Sequence, residues 1–325
     1  MQGVGPRHGF HILETGLNSG HRGAMNPSFD HHAVHLRRSV LCLPASNRRA
    51  IHKLASLDMD AVILDLEDAV AEEMKQEARD NIRAYFLAGP PSDRETIIRV
   101  NAAASHHFPQ DIALVLECQP DAVLLPKVRT QDDILDLAAT LSESDAPDSL
   151  RIWAMMETPL AILNAGPIAE AGRTHGGRLD CLVVGLNDLR KDTNVPFDPA
   201  RTYLVPWLMQ VVLSARAFGL GVIDSVSNEF RDLGAFESEC LQGRAMGFDG
   251  KMLIHPAQIE GSNRAYAPSE AEIAAAQDII AAFSTPEAME HNAINIGGRM
   301  VERLHFEEAV RLVARAELIR ERTKE

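Results

Sequence analysis

Acids and bases recur at one kind of place in this chain, just behind short apolar runs. Asp65, Glu67 and Asp68 follow one run, Arg99 and Asn101 the next, Lys127 a third and Glu157 a fourth. Asn187 and Asp188, then Asp224 and Ser225, and finally His255 stand behind three more. If those ends share one mouth, its acids (Asp65, Glu67, Asp68, Glu157, Asp188, Asp224) outnumber Arg99 and Lys127. Buried carboxylates need a compensating cation. Carboxylates without a Cys or His cluster suit a hard ion, and Mg2+ takes few protein oxygens and leaves room for substrate. Such an ion polarises a carbonyl or alkoxide as a Lewis acid. The chemistry indicated is Mg2+-assisted work on an oxyanion substrate. Each residue is open to a plainer role as well. Glu67 or Asp68 could cap the following helix, Arg99 could pair with either, and Asp188 could cap a turn. Capping does not explain why seven such ends carry polar groups together.

The elements that must position these groups read as alternating strands and helices. The apolar runs are Ser39–Ala45, Ala61–Asp68, Thr96–Asn101, Ala122–Val128, Arg151–Thr158, Cys181–Asp188, Gly221–Ser227 and Phe248–His255. They are continuous rather than alternating, as in parallel strands covered on both faces. Helical spacing fills the intervals, at Asn47–Leu57, Ala71–Leu87, Gln110–Cys118, Gln131–Leu141, Leu160–Ala171, Tyr203–Phe218 and Phe236–Met246. This is the order and size of a (β/α)8 TIM barrel, whose reactive groups come from the C-terminal ends of strands. A doubly wound open sheet is the alternative, weakened because no GxGxxG follows the first strand. Beyond His255 the alternation stops. Glu270–Phe283 reads as a helix, Glu287–Met300 as a polar loop, and Phe306–Arg322 as a final amphipathic helix. The expected organisation is a disordered N-terminal tail at 1–36, a barrel at 37–260, and a C-terminal helical extension at 261–325 serving as lid or oligomer contact.

Composition narrows the function classes. The 325 residues are 46% hydrophobic and 24% charged, enough to bury a sizeable core. A net charge of -14 argues against nucleic acid or an anionic membrane as the partner. No apolar stretch approaches the length of a spanning helix. Cys42, Cys118, Cys181 and Cys240 lie far apart without metal spacing, and read as reduced thiols of a cytoplasmic protein. Six of the 13 histidines (His8, His11, His21, His31, His32, His35) fall in the first 36 residues. Their irregular spacing and polar, Gly-containing surroundings suit a mobile tail better than a metal site.

The motifs are more specific than the pattern. RRSVL from Arg37 with Pro44, AVILDLEDAV from Ala61, and Lys75 with Ala78-Arg79 come first. RVN at 99–101, LPKV at 125–128, METP at 156–159 with Asn164, and GLNDL at 185–189 follow. GFDGKMLIHPAQI at 247–259 and GGRMVE at 297–302 complete the set. In this order they resemble the citrate lyase beta-subunit-like family of the HpcH/HpaI aldolase superfamily, over about residues 37–320. The resemblance implies a Mg2+-dependent carbon-carbon lyase. Its substrate would be a β-hydroxyacyl-CoA thioester of malyl-, citramalyl- or citryl-CoA type, and its products acetyl-CoA and an α-keto acid. Malyl-CoA thioesterase activity, or a carrier-dependent citrate lyase beta subunit inactive alone, are the alternatives it leaves. Carried over by position, Glu157 and Asp188 are the metal carboxylates, and Arg99 faces the substrate oxygen. Glu67 and Asp68 hold metal-bound waters, and Arg38 and Lys127 are candidate contacts for CoA. The resemblance also implies a homotrimer or homohexamer whose C-terminal segment covers a neighbour's site. There Glu302 stands where the family usually has a catalytic Asp, and Asn187 stands where it often has Glu.

Overall fold

Eight parallel strands close on themselves, each hydrogen-bonded to the next and the eighth returning to the first. The computed structural model describes residues 35–174, 176–285 and 291–322. In chain order the strands are β1 (Ser39–Pro44), β2 (Ala61–Asp65), β3 (Glu95–Arg99) and β4 (Ala122–Leu125). Then come β5 (Arg151–Met156), β6 (Leu179–Val184), β7 (Gly221–Asp224) and β8 (Gly250–Leu253). The outer helices are α1 (Arg48–Lys53), α2 (Lys75–Leu87), α3 (Phe108–Cys118), α4 (Gln131–Glu143), α5 (Pro159–Leu163) and α6 (Ala165–Glu170). They continue as α7 (Leu186–Thr193), α8 (Val205–Ala217), α9 (Leu233–Met246) and α10 (Ile259–Tyr266). The expected (β/α)8 barrel is the fold that forms.

Alternation along each strand divides two apolar layers. Side chains at every second position point to the same face. Val40, Ala61, Ile63, Ile97, Leu124, Trp153, Met155, Cys181, Val183, Ile223 and Met252 fill the barrel interior. Their neighbours, among them Leu41, Val62, Leu64, Ile98, Val123, Ile152, Leu182 and Val222, pack against the helices. The same parity carries the interior row upward to Asp65 on β2 and Arg99 on β3. One residue past β5 it reaches Glu157.

The opposite end is closed by charge. Arg37 donates to Glu95 Oε2 at 2.6 Å and to Asp180 Oδ2 at 2.5 Å, and its guanidinium lies 4.7 Å from the Trp153 ring centre. Buried Asp60 accepts from Arg38 Nε and Nη2, each at 2.8 Å, and from Arg322 Nη1 at 2.7 Å.

Past the barrel, α11 (Glu270–Phe283) starts with a Ser269–Glu272 capping box. It packs against α12 (Arg303–Arg322), with Phe283 and Phe306 rings 5.5 Å apart. The polar segment expected as a loop instead holds an antiparallel hairpin, β9 (Ala293–Ile296) and β10 (Arg299–Glu302). Gly297 and Gly298 join the strands at φ +58° and +86°. Two positive-φ residues make the turn that matches strand twist, so the Gly-Gly pair was the signal. Of the expected tail at 1–36, residues 1–34 lie outside the described residues. No described helix is long and apolar enough to cross a membrane.

Every expected strand ran one to four residues past the observed C-terminal end, and the eighth also began two residues early. The polar residues there belong to the loops, and at Leu186 the chain is already helical, so Asn187 and Asp188 sit in the first turn of α7.

Candidate active site

A cavity of about 330 Å³ opens at the C-terminal ends of the strands. Asp65, Arg99, Glu157, Asn187 and Asp188 line it, with Cys42, Met155 and Met252 forming the apolar bottom.

Arg99 is held from one side. Its Nε and Nη2 donate to the two carboxylate oxygens of Asp65, each at 2.6 Å, and Nη1 stands 3.4 Å from Glu67 Oε2. A two-point pair fixes the guanidinium plane. Burial opposes its charge, but Asp65 and Glu67 outweigh that and hold its pKa above the ordinary value. Asp65 Oδ1 also accepts the Glu67 backbone N–H at 2.9 Å, so one carboxylate orients both residues.

The loop carrying Glu67 is clamped from behind. Lys75 Nζ donates to the carbonyls of Leu66 at 2.6 Å and Glu67 at 2.9 Å, and to Asn101 Oδ1 at 2.8 Å. Asn101 in turn donates to Asp111 Oδ2, whose other oxygen takes Arg79 Nη1 at 3.0 Å. Sequence reasoning noted Lys75 and Arg79 without giving them a task. Their place is to join the loops after β2 and β3.

Lys127 has a left-handed backbone, φ +55°, at the end of β4. For a residue with a Cβ that conformation is costly and needs support. Glu157 Oε1 accepts the Lys127 backbone N–H at 2.8 Å. Thr158 Oγ1 donates to the Val128 carbonyl at 2.9 Å, and Asn164 Nδ2 to that of Arg129 at 2.9 Å. The METP motif thus holds the LPKV loop. The Lys127 ammonium then stands 2.5 Å from Asp188, 3.2 Å from Asp68, 3.6 Å from Glu157 and 3.8 Å from Glu67.

Burial pushes the Glu157 carboxyl up to about 7 against the pull of Lys127, and burial also raises Glu67. Burial weakens the Lys127 charge, but Asp188, Glu157 and Glu67 overcome it and raise its pKa. Glu67 Oε2 is buried without a hydrogen-bond donor. Gly185 faces Glu157 so closely that a Cβ there would lie 2.6 Å from the Glu157 Cβ and 2.7 Å from Oε2. Acid-rich and oxygen-only around one ammonium, with a buried carboxylate oxygen that has Arg99 at 3.4 Å but no hydrogen bond and a glycine that leaves the carboxylate room, the group would fit a hard divalent cation on Glu157 and Asp188.

The structure gathers Arg99, Glu67, Asp68, Lys127, Glu157 and Asp188 at one mouth. Two assignments need correction. Arg38 immediately precedes β1 and pairs with Asp60 at the opposite end of the barrel, so it does not reach a ligand at the mouth. Its place at the start of a strand, rather than the end, was readable in the sequence. Asp224 faces the helices, bound by Arg201 Nη1 at 2.8 Å and Lys251 Nζ at 2.9 Å, because strand parity puts inward Ile223 before it. His255 caps the turn at Pro256 and stacks on Phe230. Glu302, at the end of β10, does not line this chain's cavity, and His305 Nδ1 accepts its backbone N–H at 3.0 Å.

A closed barrel with clustered carboxylates and a clamped arginine at its C-terminal mouth defines an enzyme-type (β/α)8 scaffold with a cation-binding centre. The chain belongs to the HpcH/HpaI aldolase/citrate lyase family, whose sequence profile matches residues 38–256. It is 41% identical over 288 residues to a (3S)-malyl-CoA thioesterase of Cereibacter sphaeroides, spanning 89% of this chain and 97% of that protein. It is 30% identical over 305 residues to the mitochondrial citramalyl-CoA lyase of Homo sapiens, spanning 91% and 90%. Among solved structures, CitE of Mycobacterium tuberculosis in complex with magnesium, acetoacetate and coenzyme A superposes with a TM-score of 0.68. That match has 27% identity and covers 86% of this chain and 97% of that one.

Proposed function

We propose that the protein is a Mg2+-dependent carbon-carbon lyase acting on a β-hydroxyacyl-CoA of malyl-, citramalyl- or citryl-CoA type, releasing acetyl-CoA and an α-keto acid. The observation that supports it most is the pairing of two chemistries at one mouth. Glu157 and Asp188 offer a cation site, and Arg99, fixed by Asp65, presents an oriented positive group beside it. Mg2+ held by Glu157 and Asp188 would supply Lewis-acid polarisation of the substrate's hydroxyl oxygen.

The chain's own residues do the rest. As the C–C bond breaks, the hydroxyl proton passes to a water at the mouth, the hydroxyl-bearing carbon becomes the keto carbon, and the bond's electron pair passes to the thioester's α-carbon, with negative charge building on the thioester oxygen. Arg99 opposes that charge, and one preorganised donor of this kind contributes about 3–4 kcal/mol. Asp65 keeps the guanidinium from turning. Glu67 and Asp68 accept hydrogen bonds from water at the mouth. Glu302 of a neighbouring copy, carried on the β9–β10 hairpin, returns a proton to the carbon. This step requires a neighbouring copy, as a homotrimer or homohexamer would provide, and the four free cysteines suit a cytoplasmic setting.

One observation favours a second reading, hydrolysis of malyl-CoA, namely the 41% identity to the (3S)-malyl-CoA thioesterase. The two differ in products. Malyl-, citramalyl- and citryl-CoA are each offered with Mg2+, and keto acid and free thiol are scored separately. Keto acid with acetyl-CoA identifies the lyase, and free thiol without keto acid identifies the thioesterase. No turnover of any CoA ester, with turnover restored by an acyl-carrier protein thioester, identifies a carrier-dependent subunit.

A further inference from the structure

Outside the cavity, the loops after β2 and β3 meet a second time. Glu72, in the short 3-10 turn before α2, faces His106 and His107, in the turn before α3. Its Oε1 lies 2.8 Å from His107 Nε2 and 3.3 Å from His106 Nε2. The two rings are 4.0 Å apart at a 38° tilt, and both Nε2 atoms lie beside the same Glu72 oxygen. All three ligand atoms fall within 4.8 Å of one another. In a tetrahedral site with bonds near 2.0–2.1 Å, neighbouring ligand atoms are roughly 3.3–3.5 Å apart, a value inside this spread.

We propose that Glu72, His106 and His107 form a second metal site, for a borderline divalent cation of the Zn2+ class, with its fourth position open to solvent. The donor set separates it from the mouth. Two imidazoles and one carboxylate suit Zn2+, whereas the all-oxygen group at Glu157 and Asp188 suits Mg2+. Part of the frame is already in place. The His107 side chain is only 11% exposed, and its backbone N–H donates to Ser105 Oγ at 3.2 Å. His106 is open, at 78%, and supplies the movable arm.

The site has a mechanical meaning. Lys75 joins the loops after β2 and β3 from the inside, and a cation on Glu72, His106 and His107 would join them from the outside. Those loops begin with Glu67 and Asp68 on one side and Asn101 on the other. The proposal is independent of the reaction assigned above, because none of the three residues lines the cavity.

The test uses the full chain with millimolar Mg2+ present, so that the mouth is filled, and Zn2+ titrated against a chromophoric chelator. Three proteins are compared: wild type, His106→Gln/His107→Gln, and Glu72→Gln. The double variant is expected to lose one Zn2+ equivalent, and Glu72→Gln to bind that equivalent more weakly. Cobalt substitution reads geometry directly. Wild type should show the intense visible absorption of a four-coordinate site, and the double variant should lose it. Histidines near the N-terminus are common to all three proteins and cannot produce these differences. Equal stoichiometry in wild type and the double variant, or full affinity in Glu72→Gln, would mean adventitious binding only and overturn the site.

Discussion

Lys127 Nζ stands 2.5 Å from Asp188 Oδ2, at the point on which Glu67, Asp68 and Glu157 also converge. A lysine therefore supplies the positive charge that four carboxylates require, and a metal ion entering between Glu157 and Asp188 must displace it. Lys127→Met removes that competitor. At an effective dielectric of about 20, a unit charge at 4 Å is worth about 4 kcal/mol, and a third of this is a tenfold change in affinity. Calorimetric titration at about pH 8 should show Mg2+ binding about tenfold tighter in the variant. The metal-free variant should also melt lower than wild type. Equal affinities in the two proteins would mean that the ammonium is not displaced.

Mg2+ binding should be linked to pH through Glu157. Its carboxyl is raised to about 7, chiefly by burial, so below that value it holds a proton that the cation must expel. Above it the carboxylate is free to bind. The Mg2+-induced rise in melting temperature should thus be larger at about pH 8 than at about pH 6, with proton release on binding at the lower pH. Glu157→Ala should abolish the Mg2+ effect at both pH values and leave the barrel folded. A Mg2+ response that survives in this variant would remove Glu157 from the site.

Arg99 and Asp65 should separate rate from stability. Arg99→Lys keeps a positive charge beside Asp65 but loses the planar fork. Turnover should fall about 100-fold or more with only a small change in melting temperature. Asp65→Asn unpairs a buried arginine, which costs about 3–5 kcal/mol, so here both should fall. Wild-type turnover per folded molecule in Arg99→Lys would leave Arg99 a purely structural partner of Asp65.

Gly185→Ala should damage the site without touching any charged group. The new Cβ would overlap the Glu157 carboxylate, and overpacking of this kind costs about 1–3 kcal/mol. The expected result is weakened Mg2+ binding measured on a protein whose circular dichroism is unchanged. Full Mg2+ affinity would show that Glu157 can move aside and still serve.

Glu302 is tested by comparing Gln with Asp at that position. If a neighbour's Glu302 returns the proton, Glu302→Gln should lose about 100-fold in rate while Mg2+ and thioester still bind. Glu302→Asp should retain activity, and more of it on the shorter malyl-CoA than on the larger esters. Near-wild-type turnover by the Gln variant would take Glu302 out of the reaction.

The barrel and its mouth were legible because two periodicities coincide. Apolar runs separated by helical stretches mark the eight strands, and every-second-residue parity takes Ile63 to Asp65, Ile97 to Arg99 and Met155 to Glu157. The same parity was available for Asp224 and would have turned it away, since Ile223 takes the inward position. Arg38 was misplaced for a different reason. It was grouped with the mouth by motif, although it lies where a strand begins. The partners of Arg99 were legible only in part: Glu67 was among the acids expected to pair with it and stands 3.4 Å from Nη1, but the two-point partner is Asp65. Asp65 ends β2 while Glu67 and Asp68 follow in the loop, and the pairing of β2 with β3 sets Asp65, rather than its neighbours, flat against the guanidinium. The hairpin at 293–302 was missed because its strands are only four residues each, leaving Gly297-Gly298 as the main cue.

Asp60 takes Arg38 from the start of β1 and Arg322 from the end of α12 on a single carboxylate. β1 is also the strand that meets β8, so this carboxylate lies beside the seam where the ring is completed. The first described strand and the last described helix are thereby tied at one knot, with Arg315 adding a second tie to the Asp249 carbonyl just before β8. Opening the seam must release the C-terminal helix, and pulling that helix away must strip a buried acid of one of its two arginines. Neither end can fray by itself, so the barrel and its extension should melt in a single transition.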